Sequence, residues 1–346
     1  MKRYIINKIC WFFLFIAFQF SPVFTQYVEN VSKVGTTSAP FLNIPIGSRA
    51  TAMGGAFSVI QGDLSCIYWN AAGLSQLQGI KAMAYHSEWI VDTDFDVVVA
   101  GISLGNQSTI AASLTSFRTG MMEITTLPEP EGTGEYFQPT DLAIAIAYAR
   151  NLTDRFSIGA TGRVIRRQVW NMISSGMAID IGTLYDTGYR NTMIAASISN
   201  FGGDLKLVGR DVRVKHDIDE LILGNNDNIS ADLSTESWPL PLVFRFGLTI
   251  EPIKSESQNL IVAVDAVHPN DNTEYVNIGL EYGFLSTFYL RAGYKSLFLR
   301  DNLQGPTFGF GVHRDLFSGI GLDINYSFMT FKFVENVHSF DLVFTF

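Results

Sequence analysis

The chain has 346 residues and a formal charge of −9, with 47% apolar but only 16% charged residues. So few charges fall below the roughly 25% usual in soluble domains, yet no stretch reaches the run of about 18 apolar residues that a membrane-spanning helix needs. An acidic balance also argues against nucleic acid as a partner.

At the N-terminus, Lys2, Arg3 and Lys8 precede an apolar run over residues 9–20. Val23 and Thr25 stand at the −3 and −1 positions of a cleavage before Gln26. This order predicts a secretory signal peptide over residues 1–25, cleaved on export. Its loss removes three positive charges and leaves the mature chain near −12. Cys66 is then the only cysteine, which excludes an intrachain disulfide or a cysteine metal site. The five histidines show no ligand spacing, so no metal and no cofactor is expected.

Residues 26–79 are irregular and glycine-rich. Gly47, Gly54, Gly55 and Gly62 suggest a phosphate loop, but no Gly-Lys-Ser/Thr follows and no βαβ unit surrounds them. Glycines that let backbone approach a neighbouring wall are the simpler reading. Asp63 or Ser65 is placed to cap a short helix over residues 64–69, and Asn70 to hold the turn that follows. No nucleophile, paired-carboxylate or Ser-His-Asp arrangement stands out, so an enzyme is not expected.

From residue 80 onward the period is two. In the run Leu142-Ala143-Ile144-Ala145-Ile146-Ala147-Tyr148, large apolar and small residues alternate, and in 319–328 Ile320, Leu322, Ile324, Tyr326 and Phe328 alternate with Gly and polar residues. About fourteen such segments are predicted: 80–88, 94–104, 107–117, 140–151, 154–168, 175–186, 190–200, 240–251, 259–268, 273–283, 286–297, 306–314, 319–329 and 336–346. Their length suits tilted transmembrane strands, and a bilayer admits only helices or closed barrels. Connections after even strands are short; those after odd strands are often longer, above all 201–239, which is long enough to act as a plug or a partner contact. The fold class is therefore all-β: a transmembrane up-and-down antiparallel β-barrel of about 14 strands with a short helical N-terminal hatch. The expected division is signal peptide 1–25, hatch 26–79 and barrel 80–346, placed in the bacterial outer membrane with lipid around it. The last strand, ending on Phe346, resembles an outer-membrane assembly signal.

If the large apolar set faces lipid, the alternate set faces the lumen. It includes Arg163, Asp180, Arg245, Asp265, Glu281, Arg291, Lys295, Asp323 and Asp341 among small residues. Such a face suits either a polar water-filled channel or interior ion pairs that hold a plug and fix register; the mixed signs argue against an ion-selective lining and favour the second. The acids Asp92, Asp94 and Asp96 and the run Asn270-Asp271-Asn272 could offer oxygens to calcium, but neither has an EF-hand spacing.

The residues that identify a family lie at 39–74. Phe41-Leu42, Gly47-Ser48-Arg49-Ala50, Met53-Gly54-Gly55-Ala56-Phe57, Asp63 and Tyr68-Trp69-Asn70-Ala71-Ala72-Gly73-Leu74 resemble the N-terminal signature of the PorV/PorQ family, relatives of the FadL-type barrels. Ala71 stands where that family usually has proline. The stretches 122–126 and 149–159 also resemble it. The resemblance implies a fourteen-stranded barrel whose hatch residues Gly47, Arg49, Met53, Gly54, Gly55, Asp63, Trp69, Asn70 and Gly73 have a structural or gating role. It implies an accessory part in type IX secretion or surface attachment, with a translocon and exported proteins as partners. The FadL relatives imply the alternative, a channel for hydrophobic molecules, which would need an inward stripe of large apolar side chains.

Overall fold

The computed structural model describes residues 33–105, 107–217, 229–255, 257–317 and 319–346. The expected signal peptide, the first residues of the expected hatch and part of the long 201–239 connection lie outside the described residues.

Fourteen long strands form the wall: β1 (Ile80–Trp89), β2 (Thr93–Ser103), β3 (Ser108–Arg118), β4 (Thr140–Thr153), β5 (Phe156–Val169), β6 (Met172–Asp186), β7 (Thr192–Gly202), β8 (Val243–Lys254), β9 (Gln258–Pro269), β10 (Tyr275–Phe284), β11 (Phe288–Leu297), β12 (Gln304–Phe317), β13 (Ile320–Phe331) and β14 (Val337–Thr345). Each pairs antiparallel with its chain neighbours. β1 meets β14 from Lys81 opposite Thr345 to Glu88 opposite His338, so the sheet closes and no edge is left. The strand count and positions follow the sequence alternation closely. β8 starts at Val243 rather than 240 because Pro239 and Pro241 lack the N–H that a ladder needs.

The alternation sorts into two faces as expected. On β4, Ala143, Ala145, Ala147 and Ala149 are buried towards the lumen, while Leu142, Ile144, Ile146 and Tyr148 are exposed outward. The described residues of the long connection after β7 include short ribbons. Leu205–Lys206 pairs with Ser237–Trp238, Arg213–His216 with Ile229–Asp232, and Val208–Gly209 adds to the outer end of β6.

Residues 33–79 fill the barrel instead of joining it. The segment has two short helices, α1 (Ser48–Ala52) and α2 (Cys66–Trp69), and 3-10 turns at Pro40–Asn43 and Ala71–Gln76, and nearly all its large apolar side chains are buried. Phe41, Leu42, Met53, Phe57, Leu64 and Trp69 pack with Tyr85, Phe95, Val97 and Val99 of β1 and β2, so the hydrophobic core sits in the lumen. The helix expected over 64–69 is only the single turn Cys66–Trp69. Ser65 makes no side-chain cap; Asp63 Oδ1 accepts from Ser65 N at 2.9 Å and Ser65 Oγ at 2.7 Å instead.

The candidate functional site: a latched hatch in the lumen

The hatch is built on backbone that only glycine tolerates. Gly47, Gly54 and Gly55 have φ of +91°, +65° and +75°. Gly54 reverses the chain after α1 and lays it on the wall: a Cβ there would come within 2.7 Å of Tyr294 N on β11. The wall has matching gaps. Cβ atoms at Gly279 and Gly293 would strike the backbone at Met53, at Gly309 the side chain of Ala52, at Gly159 the backbone of Ala71 and Ala72, and at Gly182 the Asn70 side chain. Gly73 is closed in by Ile60 O and Cys66 Sγ. Hatch backbone thus rests directly on wall backbone.

Charge completes one side of this contact. Arg49 of α1 forks onto Glu281 of β10, with Nε to Oε2 at 2.7 Å and Nη2 to Oε1 at 2.6 Å. Glu281 Oε2 also accepts from Arg291 Nε of β11 at 2.7 Å. Arg291 Nη1 donates to Asn325 Oδ1 of β13 at 2.7 Å, and Asn325 Nδ2 donates to Asp341 Oδ1 of β14 at 2.7 Å. Asp341 Oδ2 accepts Ser48 N at 2.6 Å, which returns the chain of bonds to α1. Asp63 adds a second, longer contact to Arg49 Nη1 at 3.4 Å. Nearby, Asp265 of β9 accepts three bonds from the hatch: Phe57 N at 3.0 Å, Ser58 N at 2.9 Å and Ser58 Oγ at 2.8 Å.

The other side is held by Trp69 and Asn70. Trp69 Nε1 donates to Ile46 O at 2.9 Å, and its ring lies edge-on to Tyr68 with centroids 5.0 Å apart. Arg245 of β8 sits 5.3 Å from the Trp69 ring and 5.7 Å from that of Tyr68, while its Nη1 donates to Ser199 Oγ at 3.0 Å. Asn70 Nδ2 donates to Ser58 O at 2.7 Å and to Thr183 O of β6 at 3.0 Å, and its Oδ1 accepts Ala72 N at 3.1 Å. One side chain therefore ties two hatch segments and a wall strand together. Cys66 is buried beneath this turn, and burial pushes its thiol up.

The remaining lumen charges take other places. Arg163 pairs with Asp180 at 2.9 Å, and both bind Asn200, which stands at φ +63° in a bulge of β7. That group braces the wall rather than the hatch. Asp323 pairs with His313 at 2.7 Å towards the turn between β12 and β13. Lys295 is buried and makes no ion pair among the described residues. Of the acids read as cation ligands, Asp96 lies on the outward face with His86 and Arg118, and Asp271 accepts from Thr37 and Asn43. Asn325, Asn277, Thr307 and the Arg167–Asp141 pair bind the hatch or support it and carried no sequence motif; only their inward positions in alternating strands point to them.

Between hatch and wall, Phe41, Leu42, Ile67, Tyr68, Ser113 and Arg163 line a cavity of about 10 Å³, room for about one water.

A family model described as type IX secretion system protein PorV matches residues 27–203. No curated protein matches the chain. Among solved structures, the CymD monoaromatic hydrocarbon channel is similar at 12% identity and a TM-score of 0.54, covering 88% of this chain and 98% of that one. The toluene transporter TodX of Pseudomonas putida gives 14%, a TM-score of 0.55, and 86% and 96% coverage. A FadL homologue of Pseudomonas aeruginosa gives 10%, a TM-score of 0.50, and the same coverage. At these identities the likeness is one of fold.

Proposed function

The chain belongs to the family of the type IX secretion system protein PorV, and from that premise we propose that it is a non-enzymatic outer-membrane barrel serving protein secretion or surface attachment. The observation that carries this reading is the filled lumen. Backbone rests on wall glycines, the wall carboxylates Glu281, Asp265 and Asp341 engage the hatch, and the cavity beside it has room for about one water. Such a barrel acts through its surfaces and its partners, a translocon and exported proteins, rather than as an open pore. The hatch residues Gly47, Arg49, Met53, Gly54, Gly55, Asp63, Trp69, Asn70 and Gly73 are then structural, holding the closed state. We propose also that residues 1–25 are cleaved on export and that 26–79 form the hatch of a barrel over 80–346.

Deleting the gene and quantifying extracellular and surface-attached proteins tests the role. Loss of a defined set of exported proteins is expected, and an unchanged secretome and surface would refute it. The fold likeness to hydrocarbon channels favours a second reading, passage of hydrophobic molecules. It needs the hatch to move, because the large apolar side chains of the inner wall, Met83, Tyr85, Phe95, Val97 and Val99, are covered by the hatch and the rest of the wall is mainly small and charged. Liposomes holding the purified barrel that admit toluene no faster than empty ones would remove that alternative.

A further inference from the structure

The outward face of the wall turns polar at one height near the outer ends of the strands, with Thr140 on β4, Arg166 and Gln168 on β5 and His338 on β14. Exposed Trp170 and Trp238 stand beside it, and aromatic residues of this kind border the apolar band that a barrel shows to lipid. That height is therefore the level of the outer head groups.

Charge is spread unevenly around this rim. On β1–β3, Glu88, Asp94 and Asp96 outnumber His86 and Arg118. Beside β6 the excess is positive. Arg166 of β5 stands opposite Ser175 of β6, and Val208–Gly209 pairs with Ile173 and Met172 on the other side of that strand. Leu205 fills the space over Gly176, so the same register carries Lys206 to the level of Ser175. Lys206 shares the outward side with Val208, because its neighbour Leu205 is buried. Arg166 and Lys206 thus flank Ser175 from two strands that lie about 10 Å apart. The Arg166 guanidinium reaches Gln168 Oε1 at 3.5 Å, and neither cation makes an ion pair among the described residues.

Lys206 also belongs to a groove in the connection above β6. Lys206, Leu207, Arg210, Arg213, Asp232 and Leu233 line about 490 Å³ there, within the range of about 300–1,000 Å³ usual for small-ligand sites. Its frame is tied down: Thr235 Oγ1 donates to Leu207 O at 2.7 Å, Leu233 N donates to Val212 O at 2.8 Å, and a Cβ at Gly209 would strike Asn171 O. Asp211 is engaged elsewhere by Asn171 Nδ2 at 3.2 Å. Arg213 meets Asp232 only loosely, at 3.7 Å with both side chains about two-thirds exposed, and Arg210 makes no ion pair among the described residues. Three cations therefore face one carboxylate, on a chain whose formal charge is −9.

We propose that this groove and the adjoining Arg166–Lys206 rim form a binding site for the phosphate groups of an outer-leaflet glycolipid of the lipid A type. Guanidinium groups match phosphate oxygens in pairs, and lysine adds a point charge. A lipid head group is favoured over a soluble anion by position: the cations run without a break from the lipid-facing strand β5 into the groove, and exposed Val208, Leu233 and Trp238 give its edges apolar surface for the upper acyl chain. The site rests on the outer-membrane placement of the chain and not on its role in secretion.

Native mass spectrometry of the full-length folded barrel, incubated in detergent with bisphosphoryl lipid A, tests this. Retention about tenfold or more above that of phosphate-free lipid A is expected. R166Q, K206Q and R210Q should each weaken it by about fivefold, and the triple variant should abolish it, whereas K332Q, which changes a cation at the outer end of β13, should bind as the parent does. The heat-dependent gel shift of a folded barrel checks assembly, and the single variants carry the readout if the triple variant fails to fold. Equal retention of both lipid A forms, or full retention by the triple variant, overturns the proposal. So does inorganic phosphate binding with the same cation dependence but without preference for the lipid, which would mark a free-anion site. A poly-glutamate peptide that displaces lipid A at equal concentration would assign the groove to an acidic protein segment instead. An unchanged secretome beside phosphate-selective lipid retention refutes the secretion role and leaves the glycolipid site standing.

Discussion

Between residues 47 and 58 the hatch meets β9–β14 through wall carboxylates as well as close backbone contact, whereas between residues 66 and 76 it meets β4–β7 by close contact and neutral hydrogen bonds, with no wall carboxylate. In the first region Arg49, Ser48 N, Phe57 N and Ser58 N are all bonded to wall carboxylates. In the second, Asn70, Ala71 and Ala72 lie where Gly159 and Gly182 leave no room for a side chain, and the bonds to the wall are neutral. A charge latch can be undone by a competing cation or anion, since its bonds depend on which groups are ionised and paired. A shape contact has no such handle. The 47–58 region thus has an ionic handle on release, added to its seat on Gly279, Gly293 and Gly309, that the 66–76 region lacks, and the latter is expected to act as the anchor.

The largest effect is expected at Glu281. Replacing it with leucine leaves Arg49 and Arg291 buried without their acid, and breaking a buried pair in this way costs about 3–5 kcal/mol. Hydrogen exchange should rise over residues 47–58 while residues 66–76 stay protected. Cys66 gives a chemical readout: its buried thiol should react slowly with a maleimide in both proteins if the anchor holds. Exchange that rises equally in both regions would break the comparison.

A smaller effect is expected on the anchor. Gly182→Ala drives a methyl group into Asn70 Oδ1, so the side chain must turn and surrender its bonds to Ser58 O and Thr183 O. Overpacking of this kind costs about 1–3 kcal/mol. Asn70→Leu removes the same bonds from the hatch side. Both variants should speed Cys66 labelling and leave the Arg49–Glu281 region protected. Normal labelling with normal assembly in Asn70→Leu would show that Asn70 does not hold the turn.

How far these regions could be read in advance follows from what each one must satisfy. The wall was legible because lipid outside and a packed lumen inside impose a period of two on every strand, as Leu142 to Tyr148 display. Glycines and Asn70 in the hatch were legible as tight turns, though α2 proved shorter than expected because Asp63 already turns the chain at Ser65. The latch was not, since Arg49 and Glu281 stand 232 residues apart and only register brings β10 over α1. Inward alternation puts Glu281, Asp265, Arg163 and Lys295 in the lumen without saying which of them reach the hatch. The outward cluster at Asp96 was obscured for another reason: three acids close in sequence suggested a cation site, while its partners His86 and Arg118 come from the neighbouring strands.

The smallest expected effect lies at the seam between the two regions. Tyr85 of β1 donates its hydroxyl towards Pro45 O of the hatch and Ser339 Oγ of β14, each at 3.1 Å. Tyr85→Phe keeps the ring packed against Phe95 and removes one neutral hydrogen bond, worth about 1 kcal/mol. Pairing of β1 with β14 does not depend on that hydroxyl, so the closed barrel should assemble with a slightly lower melting temperature. Exchange should quicken only around residues 44–46. A loss of assembly instead would mean that the seam closes on the hatch, so that residues 44–46 act as a template for joining the first and last strands. The hatch would then be part of how the barrel forms, and the distinction between latch and anchor would describe only the finished molecule.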